Sequence, residues 1–435
     1  MKRKFAYIIG FLSLGLLLSC EQKQPSESKV EEEQKSKTMH RNLTAEEILG
    51  NPDYRAISYG GYRRETRDIQ PTVEELKEDL RILQALGIKI IRTYNVRLPH
   101  ASNALKAIKE LKQEDPNFEM YVMLGAWIDC KNAWTDLPIN HHEESAYNEA
   151  EIERAVELAN QFPDIVKVIA VGNEAMVKWA TAYYVQPNVI LKWVKHLQAL
   201  KDNGKLDPNL WITSSDNFAS WGGGDPQYHT EDLNQLIDAV DYLSIHTYPM
   251  HDTHYNPVFW GTYTDEASLG NMKKIDLAMN RSLNYAVSQY DSVVNYMKSL
   301  KIDKPVHIGE TGWASVSSGL YGPNGSKATD EYKQALYHEK MRAWTDENKI
   351  SCFYFQAFDE PWKDPHNPTG SENFFGLFTV EGKAKYALWE AVDKGVFEGL
   401  KRGGNSIKKT YKGKLENLLL EVDMPPVKNE KVVNH

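Results

Sequence analysis

The sequence predicts an α/β protein built as a single (β/α)8 TIM barrel with extended βα loops. Two observations support this prediction. Eight short apolar runs follow one another along the chain, and longer segments with helical spacing of apolar residues separate them. Strands that alternate with helices form parallel sheets, and eight such units can close into a barrel. The alternative is an open, doubly wound sheet. It usually carries a glycine-rich first turn, and this sequence has none.

The predicted strands are Ala56–Tyr59, Lys89–Thr93, Met120–Leu124, Val166–Val171, Leu210–Ser214, Tyr242–Thr247, Pro305–Gly309 and Cys352–Ala357. The first helix has Pro71 and Thr72 at its start, leucines along one face and Gly87 at its end. Later helices are predicted near residues 150–160, 188–202, 282–300, 330–345 and 384–396. The barrel domain is therefore predicted at residues 46–400, with a C-terminal extension at 401–435.

The first 45 residues are predicted to lie outside the barrel. Residues 1–20 combine a basic start, an apolar run too short to span a bilayer and a cysteine, Cys20, at the end of that run. This pattern resembles a bacterial lipoprotein signal, in which Cys20 would carry the lipid. The alternative is an ordinary secretory signal or anchor that contains a cysteine. Residues 21–45 are polar and predict a disordered tether. The domain is thus expected outside the cytoplasm, anchored to a membrane whose face (outer membrane, periplasmic or surface) the sequence leaves open.

Net charge and the placement of histidines argue against nucleic-acid binding and against a metal site. The formal net charge of −9 argues against nucleic acid as a partner. Two histidine pairs, His141–His142 and His251 with His254, lie in separate loops, and no HExxH or cysteine cluster joins them. No metal and no cofactor is therefore expected. A monomer is expected as well.

Two short motifs carry candidate catalytic groups. Val171-Gly172-Asn173-Glu174 ends the fourth predicted strand, and Gly309-Glu310-Thr311-Gly312-Trp313 ends the seventh. In a (β/α)8 barrel the catalytic groups lie at the C-terminal ends of the strands, so Glu174 and Glu310 should share one pocket. Two carboxyl groups, one protonated and one ionised, are what glycosidic cleavage requires. A strand-end glutamate taken alone is more often a salt-bridge partner or a helix cap.

These motifs resemble the signatures of glycoside hydrolase family 17, a family of retaining β-1,3-glucanases and relatives. Two further stretches also match in the family's order, Phe358-Asp359-Glu360-Pro361-Trp362-Lys363 and Glu372-Asn373-Phe374-Phe375-Gly376-Leu377-Phe378. The resemblance covers residues 56–388. It implies that Glu174 is the acid/base and that Glu310 is the nucleophile.

The same resemblance implies a set of supporting residues. Asn173 would hold the sugar's 2-hydroxyl, and Tyr248 would hydrogen-bond the nucleophile. Trp313 and Phe375 are candidate sugar-stacking residues within the motifs. The other residues implied to line the cleft are Tyr59, Arg92, Tyr94, Asn95, Glu360, Lys363 and Glu372. The chain departs from the family at Ala314, where proline is usual, and at His246, where asparagine is frequent. Long loops follow several strands, at 141–150, 221–235 and 250–281.

Tryptophans add a further hint, since Trp127, Trp134, Trp179, Trp221 and Trp362 all lie just after predicted strands. Sugar rings stack on aromatic faces, although ordinary core packing explains such residues equally well. The resulting hypothesis is a retaining β-1,3-glucan hydrolase acting on laminarin-type substrates. A transglycosylase with the same catalytic pair and a non-catalytic glycan-binding surface lipoprotein are the alternatives. Endo and exo cleavage are not separated by the sequence.

Overall fold

A computed structural model describes residues 42–428 of the protein. The predicted signal segment, Cys20 and most of the predicted tether lie outside the described residues, as do residues 429–435. No helix within residues 42–428 is long and apolar enough to cross a membrane.

Eight parallel strands close into one barrel, which confirms the predicted fold. Neighbouring strands follow the order β1-β8-β7-β6-β5-β4-β3-β2, so each strand pairs with those next to it in sequence and β1 pairs with β8. The strands are β1 Arg55–Ser58, β2 Ile88–Arg92, β3 Tyr121–Ala126, β4 Val166–Asn173, β5 Trp211–Asn217, β6 Leu243–His246, β7 Val306–Gly312 and β8 Cys352–Phe355. All eight lie at the predicted places.

Helices surround the barrel, and their sequences explain where they begin. Val73–Ala85 starts at a capping box in which the Thr72 hydroxyl accepts from the Glu75 amide, while Leu76, Leu80 and Leu83 are buried. The α-helices are Ala45–Ile48, Val73–Ala85, Pro99–Glu114, Asn148–Gln161, Pro187–Asp202, Glu231–Ala239, Pro249–Tyr255, Asn271–Ser299, Glu331–Glu347, Trp389–Asp393 and Leu415–Leu419.

Two helices differ from their predicted extent. The helix before β7 is longer than predicted and begins at Asn271. The helix predicted at residues 384–396 is reduced to the short helix Trp389–Asp393, preceded by a 3-10 turn at Tyr386–Leu388. Its first part is extended because the buried Lys385 amine is bound to the Asp359 carboxylate and the Ser315 hydroxyl, each at 2.7 Å.

The inside of the barrel has an apolar lower part and a polar upper part. Ala56, Ile90, Met123, Val168 and Phe353 form one buried cluster with the helix Ala45–Ile48. Nearer the C-terminal ends of the strands the inward positions carry polar groups: Arg92, Ser215, Ser244, His246 and Glu310. The barrel is thus filled from below by apolar side chains and presents polar chemistry at its upper end.

Both ends of the described segment, residues 42–428, pack on the barrel. The tether was expected to reach residue 45, yet the Thr44 side chain already caps the helix Ala45–Ile48, and Asn42 accepts a hydrogen bond from Lys167. In the C-terminal extension Arg402 and Leu418 are buried, and Val427–Lys428 pairs with Thr262–Tyr263 in the long loop after β6.

Candidate active site

Glu174 is placed by an irregularity at the end of β4. The pairing of β4 with β5 shifts register between Ala170 and Asn173. Gly172 has φ of +81° and Glu174 itself has φ of +46°, a conformation that costs energy for a residue with a side chain. The Glu174 amide remains tied to the Ser215 carbonyl at 3.0 Å. This bulge therefore turns the Glu174 carboxyl out of the ladder, and its side chain is 26% exposed.

Glu310 lies inside the barrel near the end of β7 and is held by donors on three other loops or strands. Arg92 Nη1 donates to Oε2 at 2.8 Å, and the Tyr94 hydroxyl donates to the same oxygen at 2.7 Å. The Tyr248 hydroxyl donates to Oε1 at 2.6 Å. Each carboxylate oxygen thus has at least one donor, and the carboxylate is fixed in one orientation.

The surroundings of Glu310 favour its ionised form. Burial alone would raise the pKa of this carboxyl, but it is outweighed by His246 when that residue is protonated, by the Arg92 guanidinium and by the Tyr248 and Tyr94 hydroxyls. Together they lower the pKa of Glu310 well below its usual range. Burial and the charge of Glu310 in turn raise the pKa of both tyrosines well above 10, so both remain donors.

His246, at the end of β6, connects the two glutamates. Its Nδ1 lies 3.0 Å from Glu174 Oε1, and its Nε2 lies 2.8 Å from the Ser215 hydroxyl and 3.3 Å from Arg92 Nη1. Arginine can only donate hydrogen bonds, so the lone pair of Nε2 must face it. We therefore assign the proton of the neutral ring to Nδ1, from which it is donated to Glu174. The second oxygen of Glu174 is left to exchange a proton with a substrate.

The packing of the side chains around His246 requires glycine at position 309, which faces the barrel interior. A Cβ at this position would lie 2.0 Å from the Ser244 hydroxyl and 2.4 Å from the Ser215 hydroxyl. Those two hydroxyls contact each other at 2.9 Å and support the His246 ring through Ser215. Any larger residue would displace the Ser215 and Ser244 hydroxyls and, with them, the His246 ring.

The other predicted cleft residues lie around this centre. Asn173 accepts a hydrogen bond from Arg92 Nη2 through its Oδ1. The Lys363 amine lies 4.5 Å above the Phe355 ring. Phe375 packs edge-on against Tyr248, with 6.0 Å between ring centroids.

Two further glutamates follow β8. Burial raises the pKa of Glu360 to about 7, and its Oε1 has no protein partner among the described residues. That oxygen approaches Gly60 so closely that a Cβ there would lie 1.7 Å away. Glu372 is half-exposed and lies 3.6 Å from the His251 ring, which stacks on Tyr248. Burial works to raise the pKa of Glu372, but His251 and Lys363 lower it. The end of β8 therefore provides one carboxyl that holds a proton near neutral pH and one that does not.

Three predictions about the cleft need correction, those for Trp313, Tyr59 and Phe375. Trp313 is completely buried, with its indole donating to the Ala328 carbonyl, so its ring faces are not available to a sugar. Tyr59 is also completely buried. Its hydroxyl donates to Asp79 on the helix Val73–Ala85, so it contacts the helix that packs on the barrel. The role of Asn95 in the cleft stays a prediction: its side-chain oxygen accepts from the Leu98 amide, which closes the turn after β2. Phe375 is buried as well, so it supports Tyr248 and does not offer a free ring face.

Sequence reasoning missed the connecting residues. His246 stood out only as a departure from a family pattern, and Ser215 carried no signal because serine is common on strands. Asp216 was also missed. It is fully buried, accepts from the Met176 amide in the Glu174 loop, and burial raises its pKa to about 6. Within residues 42–428 no group of three His, Cys, Asp or Glu side chains could hold a metal ion.

Comparisons with known proteins agree with this geometry. Residues 56–376 match the BtgE/BtgC glycoside hydrolase domain family, which is most of the chain. The chain belongs to this family. As a BtgE/BtgC glycoside hydrolase domain it is an enzyme, and the predicted resemblance to glycoside hydrolase family 17 is confirmed.

Among solved structures, an endo-laminarinase from Formosa Hel1_33_131 is 71% identical, with a TM-score of 0.89 over 90% of this chain and 100% of that chain. A family 17 β-1,3-glucanosyltransferase from Rhizomucor miehei is 20% identical and shares the fold, with a TM-score of 0.53 over 77% of this chain and 96% of that one.

Curated relatives of the BtgE/BtgC domain are more distant. A glucan 1,3-beta-glucosidase from Arthroderma benhamiae is 25% identical over 61% of this chain and 70% of its own length. A putative glucan endo-1,3-beta-glucosidase, btgC, from Aspergillus niger is 25% identical over 69% of this chain. The match spans only 37% of that larger protein.

Proposed function

We propose that this enzyme hydrolyses laminarin-type β-1,3-glucans by double displacement, with retention of configuration at the anomeric carbon. The observation that carries the proposal is the contrast between the two glutamates. Glu310 is ionised and held by three donors, whereas Glu174 projects from a bulge and has one oxygen bound by His246. The first arrangement suits a nucleophile, and the second leaves one Glu174 oxygen for the proton that an acid must give to the leaving oxygen.

Each residue then has one task in the reaction. Glu310 attacks the anomeric carbon while Glu174 gives its proton to the leaving oxygen, which forms a glycosyl ester and frees the shortened chain. Esterification removes the negative charge of Glu310. Glu174 is now ionised and takes a proton from water, which attacks the ester and releases the sugar with its original configuration. Retention requires the two carboxyl groups to lie about 5–5.5 Å apart.

The test uses the alanine variants of both glutamates with azide as an external nucleophile. Glu310→Ala should lose turnover and, with azide and an activated aryl substrate, should form an α-glycosyl azide. Glu174→Ala should form the β-azide, because Glu310 still makes the ester that azide then opens. The opposite pairing of products would exchange the two assignments. Turnover of Glu310→Gln near that of the unmodified enzyme would contradict the proposal altogether.

We further propose cleavage within the chain, as in the 71% identical endo-laminarinase. Early products from a long linear β-1,3-glucan should then be oligosaccharides of mixed length. Release of single glucose units would indicate exo cleavage. Products longer than an oligosaccharide substrate would identify transfer to a sugar in place of water, and binding without any product would identify a glycan-binding protein.

The lipoprotein hypothesis also stands as a proposal, supported by the sequence around Cys20. The enzyme would then be attached by lipid to a membrane, outside the cytoplasm. A monomeric enzyme is a separate part of this proposal. Labelling of cells with a radioactive fatty acid should mark the enzyme, and Cys20→Ala should remove the label. A labelled Cys20→Ala protein would contradict it.

A further inference from the structure

We propose that Trp127, Tyr183 and Trp134 form a platform that binds the β-1,3-glucan on the leaving-group side of the cleaved bond. This inference rests on the proposed function, since it assigns a binding site for the substrate of that reaction. We refer to the three residues as the aromatic platform.

The three rings form a continuous series. The Trp134 indole stacks on the Tyr183 ring, with 5.1 Å between centroids and 22° between planes. Tyr183 in turn contacts Trp127, at 5.2 Å and 46°. Trp134 is 60% exposed even though one of its faces packs on Tyr183. Its other face is therefore open to solvent at the outer end of the series.

A buried carboxyl, Asp129, lies near the platform. Burial raises the pKa of Asp129, and the side chains of Ser145, Trp127 and Trp134 oppose that shift. The rings also pack on one another, Trp134 on Tyr183 and Tyr183 on Trp127, so their rotation is restricted before a ligand binds.

The backbone around the platform is also fixed. The Cys130 amide donates to the Tyr183 carbonyl at 3.1 Å, which joins the loop after β3 to the loop after β4. Tyr184, the residue after Tyr183, stacks on the His141 ring with 3.6 Å between ring centroids. Trp134 has φ of +61°, a strained value for an aromatic residue that these contacts maintain.

The position of the platform determines which part of the glucan it contacts. Tyr183 lies on the same loop as Glu174, and the Val185 amide donates to the Ala175 carbonyl at 2.7 Å, which returns this loop to the position next to Glu174. Tyr183 is two residues from that contact and therefore lies on the Glu174 side of the cleft. Burial and then the charge of Glu174 raise the pKa of Tyr183, in agreement with this position. An acid must lie against the leaving oxygen, so the loop that carries Glu174 also borders the sugars beyond that oxygen.

The chemistry of the platform suits uncharged sugars. The flat rings offer apolar faces and no charged group, and glucosyl rings present C–H groups on their own faces. Successive rings in the series match a ligand with several sugar units in a row. A linear β-1,3-glucan extending past the cleaved bond has this form.

The experiment compares Trp134→Ala with Tyr147→Ala as a matched control. Tyr147 is also an exposed aromatic residue, at 71%, and follows β3 as Trp134 does, but it is outside the aromatic platform. Both variants are assayed on linear laminari-oligosaccharides of increasing length. They are also assayed on 4-nitrophenyl β-laminaribioside, whose leaving group is a single ring. We expect Trp134→Ala to lower kcat/KM on the longer oligosaccharides about tenfold, mainly through KM, with little change on the aryl substrate.

Tyr147→Ala should stay within about twofold of the unmodified enzyme on every substrate. Equal effects of the two variants would overturn the platform, and so would an equal loss on the short aryl substrate. A concentration-dependent dimer that Trp134→Ala abolishes would mean that the face binds a second copy, which also overturns it. An unmodified enzyme that releases no product would instead refute the proposed function, so the two failures are distinguishable.

Discussion

At residue 246 a single side chain connects the two catalytic glutamates. The Nδ1–H of His246 donates a hydrogen bond to Glu174, and Nε2 accepts hydrogen bonds from Ser215 and Arg92, which also binds Glu310. Asparagine is frequent here in the family that the sequence resembles. The amide nitrogen of asparagine can occupy nearly the place of Nδ1, so the contact with Glu174 can be retained by a residue that never carries charge.

We therefore expect His246→Asn to retain most activity and His246→Leu to lose it. Without a donor, Glu174 is no longer held, and the leucine variant should turn over laminari-oligosaccharides roughly 10²-fold more slowly. The loss should be much smaller on 2,4-dinitrophenyl β-laminaribioside, because that leaving group needs no proton. The measurement is kcat/KM on the two substrates, which reports the first step alone, whereas kcat also contains the second step in which Glu174 acts as base. Equal losses on both would show that His246 only supports the fold.

Prediction from sequence worked best for residues whose signal is local. Glu174 and Glu310 could be found because a strand end, a glycine and a carboxylate are adjacent in the chain. Trp313 and Tyr59 could not be judged in this way, because their burial depends on segments far away, such as Ala328 and Asp79. Trp127 and Trp134 were singled out as possible sugar-stacking residues, but their combination with Tyr183 could not be predicted, because Trp134 and Tyr183 meet only after two loops fold together.

Among the elements, the C-terminal extension is an integral part of the barrel. Arg402 is buried and donates to both oxygens of the fully buried Asp79, at 2.9 and 3.2 Å, while its guanidinium lies 4.0 Å from the Phe358 ring. Asp79 belongs to the helix Val73–Ala85 and also accepts from Tyr59 and Arg63. The extension is thereby bound to the first helix of the fold.

Replacing this arginine should destabilise the protein strongly. Arg402→Leu removes one of the two arginine partners of the buried Asp79 carboxylate, and breaking a buried pair typically costs about 3–5 kcal/mol. Because Arg63 remains, the loss should lie near the lower end of this range. The matched control is Arg55→Leu, because Arg55 is half-exposed and its oxygen partner on Asp346 lies 3.6 Å away. That change should cost less than about 1 kcal/mol. Urea unfolding measures both values, and similar losses would show that the buried pair has no special role.

The pattern of strands and helices could be predicted well because the spacing of apolar residues depends on which face of each strand or helix is buried. All eight strands were found, since a closed barrel buries both faces of each strand. The prediction of a helix at residues 384–396 was wrong in its first part. Apolar residues there keep helical spacing, but Lys385 is bound to Asp359. A contact between distant residues overrides the local preference there, and sequence spacing alone does not contain it.

Over the whole molecule, catalysis and stability occupy opposite ends of the barrel. The polar groups that position Glu174 and Glu310 lie at the C-terminal ends of the strands. The opposite end is filled by an apolar cluster in which the helix Ala45–Ile48 covers Ala56, Ile90 and Phe353. Ile48 is completely buried there and touches no residue of the active site. The two ends should therefore respond independently to substitution.

Ile48→Ala tests this separation. Loss of a large buried aliphatic side chain should lower the free energy of unfolding by about 2–5 kcal/mol, depending on how far the cluster closes around the gap. The value of kcat at 25 °C should stay unchanged, because the folded barrel keeps its upper end. Leu420→Ala serves as the control, since Leu420 is 83% exposed and its removal should change neither quantity. A fall in kcat with unfolding unaffected would mean that the lower cluster positions the catalytic groups directly, and the two ends of the barrel would then be coupled.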